Sequence, residues 1–65
     1  MRFSDEQESR IGPLVQRGIE YAKETGLPHR SANDVLALLA DDPNWTDAEL
    51  EEIRWRIISG FLERN

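Results

Sequence analysis

Cysteine is absent from this 65-residue chain and histidine occurs once, at His29. Disulfides, thiolate metal ligands and the usual zinc sites are therefore excluded, and those are the common supports of small scaffolds. Long apolar runs are missing as well: nothing approaches the roughly 20 residues of a membrane-spanning helix, and residues 1–6 lack the apolar stretch of a secretory signal. The expectation is a soluble cytoplasmic protein that makes no membrane contact.

Chemical motifs are equally scarce. There is no G-x-x-x-x-G-K and no G-x-G-x-x-G, so no phosphate-cradling loop is announced. Asp42, Asn44 and Thr46 have the alternating spacing that opens a calcium loop, but Asp47 stands where the turn glycine belongs and Ile53 where the bidentate glutamate belongs. The neighbouring carboxylates Asp41, Asp42 and Glu51, Glu52 do not face each other on a helix, so they make no acid–base pair. The sequence nominates no catalytic residue, metal ligand, cofactor or small-molecule ligand, and the expectation is a protein that is not an enzyme.

Basic residues are in deficit, 8 Lys plus Arg against 13 Asp plus Glu, for a formal net charge of −5. A field of that sign repels phosphate backbones and favours basic partners, although solubility alone also accounts for it. A single domain of this size buries only about 60% of its unfolded surface, so its stability margin is thin.

Helical signals fill the chain. Ser4-Asp5-Glu6-Gln7 has the form of a capping box, and Gly12-Pro13 then interrupts, because proline deletes a backbone donor and crowds the carbonyl four residues earlier. This predicts a short helical segment near 4–11 followed by a helix over 13–25 that opens on Pro13; one kinked helix is the rival reading. Ile11, Leu14, Val15, Gly18, Ile19 and Ala22 recur at three- and four-residue steps, with Gly18 and Ala22 forming a flat strip open to a close helix neighbour. Gly26 is placed to end the helix, and Pro28 follows it.

Ser31 is the expected cap of a helix over 31–40, whose Val35, Leu36, Leu38 and Leu39 suggest burial on most sides. Asp41-Asp42-Pro43-Asn44 is turn chemistry. Thr46 and Glu49 form a second capping box, with Trp45 and Leu50 spaced as a hydrophobic staple, and predict a helix over 46–63. Acidic Asp47, Glu49, Glu51 and Glu52 precede basic Arg54, Arg56 and Arg64, the order that complements the helix dipole. No strand-like alternation competes. The expected fold is all-α: a small three-helix bundle with an additional short N-terminal helical segment, in one domain spanning 1–65.

The last helix carries an apolar arc of roughly 200°, about twice what a one-sided surface helix needs. Leu50, Ile53, Ile57 and Phe61 form one stripe; Trp55, Ile58 and Leu62 form the next, with Arg54 inside the arc. Either the second stripe completes a core or it meets a partner. Tryptophan and arginine together typify dominant interface positions. The expected function is therefore an interaction or regulatory module acting through Trp55, Ile58, Leu62 and Arg54, as a homodimer or on a larger protein partner.

Two other readings use different residues. Ala22, Gly26, Leu27, Val35 and Leu36 have spacings that resemble a helix-turn-helix over 19–39, which implies nucleic-acid contacts from His29, Arg30 and Asn33. Against it, Asp34 faces the same phosphates, and residues 41–52 hold six carboxylates and no Lys or Arg. That acidic run beside Trp45, with Glu49 and Glu52, is instead suited to dock on a basic protein surface as an inhibitor or nucleic-acid mimic.

Overall fold

Helix boundaries follow from short-range chemistry at three places. In the computed structural model, which describes residues 3–64, the chain forms α1 (Asp5–Thr25), α2 (Pro28–Leu39) and α3 (Asp47–Arg64). Ser4 caps α1 reciprocally: the Gln7 amide donates to Ser4 Oγ at 3.2 Å and the Ser4 amide to Gln7 Oε1 at 2.8 Å. Gly26 closes it in the left-handed region at φ 71°, its N–H donated to the Ala22 carbonyl at 2.7 Å. Thr46 and Glu49 reproduce the capping box at the start of α3, with amide-to-side-chain bonds of 2.8 and 3.2 Å. No strand occurs among the described residues.

Two boundaries differ from the sequence expectation. Residues 4–11 do not form a segment of their own; they are the cap and first turns of α1, which runs through Pro13 without ending. Ser9 and Pro13 both lie on the exposed side, so water can take the carbonyl that Pro13 leaves without a donor. Helix α2 begins three residues earlier than Ser31, with Pro28 in its first turn and Leu27 before it held outside the helical region at φ −125° and ψ 82°. Ser31 is therefore inside the helix, fully buried, its hydroxyl 2.8 Å from that of Thr25 on α1.

Each helix packs on both others, and the Cα radius of gyration is 11.2 Å, close to the roughly 10.7 Å expected of a compact chain this long. Ile11, Ala32, Val35, Ile53, Ile57 and Ile58 form the buried core, with Leu14, Val15, Leu36, Leu39 and Trp45 packed partly buried around it. The small residues set the α1–α3 crossing. A methyl built on Gly18 would fall inside the Ile57 side chain, and one built on Gly60 would lie 2.5 Å from Ile19 Cδ1, so each helix accepts an isoleucine of the other where a glycine leaves room.

Helix α2 is less enclosed than its composition suggests. Val35 is buried and Leu36 and Leu39 are half-buried, but Leu38 is 79% exposed. In a three-helix arrangement α2 has only two neighbours, so the side of its circumference carrying Leu38 stays open.

Candidate interaction surface

The wide apolar face of α3 divides in the fold. Ile58 is 3% exposed and belongs to the core, so it leaves the expected partner-binding set, because the packing of the three helices already covers that part of the arc. Trp55 and Leu62 stay outside, 51% and 63% exposed, two helical turns apart on one side of α3. Burial of Ile53, Ile57 and Ile58 completes the inner face without them.

Trp55 is nevertheless held. Its indole N–H donates to Glu51 Oε1 at 3.0 Å, one turn earlier, and the Arg54 guanidinium carbon lies 5.2 Å from its ring centroid. Arg54 in turn reaches Glu51 at 3.8 Å and donates from Nε to Asn33 Oδ1 of α2 at 3.3 Å. The exposed ring is thus braced by a carboxylate, a cation and, through that cation, a second helix. Side chains ordered in advance lose less entropy on binding, which favours their use as contacts.

The remaining expected contact residues serve the fold. Glu49 is 2% exposed: besides the capping bonds to Thr46, its Oε2 lies 3.7 Å from Arg10 and 3.5 Å from Gln7 Nε2. Trp45 is half-buried, with the Arg10 guanidinium stacked 4.3 Å over its ring while Arg10 also donates to the Asn44 carbonyl at 2.8 Å. Glu52 accepts from Arg56 Nε at 2.6 Å, and Arg56 grips Glu8 of α1 through both terminal nitrogens at 2.6 and 2.8 Å. Asp42 Oδ1 accepts the Asn44 amide. With Glu51, four of the six carboxylates of the acidic run are therefore already occupied within the chain, which weakens its use as a docking surface.

Arg10 and Arg56 were not legible as anchors of the fold, since each reaches across more than thirty positions of sequence to another element, Arg10 to Asn44 and Arg56 to Glu8. Their charges shift the acids they meet. Donation from the Thr46 amide holds the Glu49 carboxyl below the ordinary glutamate range, against burial and with help from the Thr46 hydroxyl, Arg10 and Gln7. Arg56 does the same for Glu8 through its hydrogen bonds, and Glu8 and Glu52 raise Arg56. Carboxyls depressed in the fold contribute stability that is complete above their unfolded value, about 4.3, and is lost as pH falls through the lower folded value. Melting temperature should accordingly hold steady from pH 7 to 5 and decline toward pH 3. Glu49→Gln keeps the capping geometry but not the charge, so its decline should be shallower; an identical pH profile would remove Glu49 from the account.

His29 and Arg30 are exposed in the first turn of α2, and Asn33 follows one turn later. The fold joins the two expected sets at one point, the Asn33–Arg54 bond. Among the described residues no three His, Asp or Glu side chains converge as a metal site, and no helix is long and apolar enough to cross a membrane. No known protein family matches this chain, and neither does any curated protein or solved structure.

Proposed function

We propose that this chain is a small binding module that engages a protein partner through the outer side of α3, with Trp55 as the anchor and Leu62 and Arg54 as its neighbours. The observation that carries the reading is an indole half in water yet fixed by Glu51 and Arg54, in a chain whose core closes without it. Aromatic and arginine side chains dominate interface energetics when a partner desolvates them. Two copies at −5 each repel, so a different, basic chain fits better than a homodimer. The setting proposed is the cytoplasm, and the activity is recognition and not catalysis.

The test compares wild type with Trp55→Ala and Leu62→Ala in affinity capture from the native cell, alongside molar mass by light scattering. Trp55→Ala should weaken the captured complex by about 30-fold or more, the loss expected of a hot-spot residue, while the far-UV circular dichroism stays unchanged. A mass that doubles with concentration and reverts in Trp55→Ala would make the partner a second copy. Equal capture by both variants, or no capture together with a concentration-independent monomer, would overturn the reading.

A further inference from the structure

A second surface, built from α1 and α2 with no residue of α3, lies apart from Trp55. Val35, Tyr21 and the outward Leu38 form the apolar floor of an open groove of about 500 Å³ between the two helices. Its volume falls in the range of ligand and peptide sites. Glu20 and Glu24 of α1 and Asp34 of α2 rim it, against one cation, Arg17. The Tyr21 hydroxyl donates to Asp34 Oδ2 across the groove at 3.4 Å, tying the two walls together.

The floor and the rim point to one kind of occupant. Among the described residues the side chains of Glu20, Glu24 and Arg17 form no ion pair, so two carboxylates stand open beside a leucine that is 79% exposed. A purely apolar segment would leave those charges without partners as water is excluded, and a polar one would leave Leu38 and Tyr21 uncovered. We propose that this groove binds a short basic amphipathic segment of a partner protein, one whose leucine-type side chains seat on Leu38, Val35 and the Tyr21 ring while flanking lysines or arginines pair with Glu20, Glu24 and Asp34. Helix-in-groove recognition uses this division, apolar anchors for affinity and rim charges for orientation.

The experiment is a ¹⁵N–¹H NMR titration of the full chain with three synthetic peptides of about 14 residues, the length of an ordinary amphipathic helix. One alternates leucine and lysine at helical spacing, one replaces lysine with glutamate, and one replaces leucine with serine. Shifts confined to residues 17–24 and 34–38, seen with the leucine–lysine peptide alone and weakening as salt rises, are the expected result. Leu38→Ala should weaken that binding about tenfold, and Glu20→Gln with Glu24→Gln should weaken it and flatten its salt dependence. All three positions are exposed, so the variants should keep the wild-type fold. Absence of shifts, shifts centred on Trp55 and Leu62, equal binding of the glutamate peptide, insensitivity to Leu38→Ala, or shifts produced by raising the protein concentration alone would each overturn the proposal.

Discussion

Ile57→Ala is expected to leave most of the chain unfolded at 25 °C. Ile57 is 0% exposed at the centre of the only core cluster among the described residues, and truncation of a buried isoleucine to alanine costs about 2–5 kcal/mol. The spread reflects how far neighbours can collapse into the vacancy. Here the facing surface on α1 is Gly18, which has no side chain to move inward, so the upper half of that range applies. A single core of this size rarely supplies more than about 3–5 kcal/mol, and no disulfide adds to it. Urea titration followed at 222 nm should therefore show little folded baseline for Ile57→Ala. Leu62→Ala, at an exposed position, should stay within about 0.5 kcal/mol of wild type. A fully cooperative Ile57→Ala transition at the wild-type midpoint would mean that the α1–α3 contact is not what holds the fold.

What the sequence made legible was whatever is decided within one or two helical turns. The two capping boxes and the Gly26 terminus depend on residues no more than four apart, and their chemistry has no competitor nearby. Ser31 failed as a cap for a local reason too: Pro28 accepts the first turn of a helix and disfavours helical backbone at its predecessor, so an earlier start was available. Pro13 shows the limit of a breaker rule, since the cost of its missing donor depends on whether the carbonyl it abandons faces water.

The division of the α3 face was not legible, because it turns on where the other two helices lie around α3. Periodicity placed Trp55, Ile58 and Leu62 in one stripe; only the packing of the three helices buries Ile58 and leaves the other two outside. Arg54 was correctly placed inside the arc, but its bond to Asn33 joins positions twenty-one apart and has no local signature. The same holds for Leu38. Its spacing from Val35 reads as core until α2 is known to have two neighbours and an open third side, and that side is one wall of the groove.

The glycines at the α1–α3 crossing support a sharper test than any single truncation. Replacing glycine by alanine inside an exposed helix normally gains about 1 kcal/mol. At Gly18 and Gly60 the sign should reverse, because the new methyl meets Ile57 and Ile19, both buried, and overpacking costs about 1–3 kcal/mol. The two sites should respond differently to relief. At Gly60 the closest atom is Ile19 Cδ1 at 2.5 Å, with Cγ1 at 3.2 Å, so Ile19→Val deletes the main obstacle and should restore most of what Gly60→Ala loses. At Gly18 the Ile57 Cγ1 is itself 2.6 Å away and valine keeps an equivalent carbon, so Ile57→Val should recover only part of the loss. Alone, either isoleucine-to-valine change costs about 0.5–1.5 kcal/mol. In the alanine backgrounds the change at 19 should become stabilising and the change at 57 close to neutral, a coupling of about 0.5–3 kcal/mol in each double-mutant cycle. Additive behaviour, or stabilisation by Gly18→Ala on its own, would show that the helices cross with room to spare and that the glycines serve some purpose other than close approach.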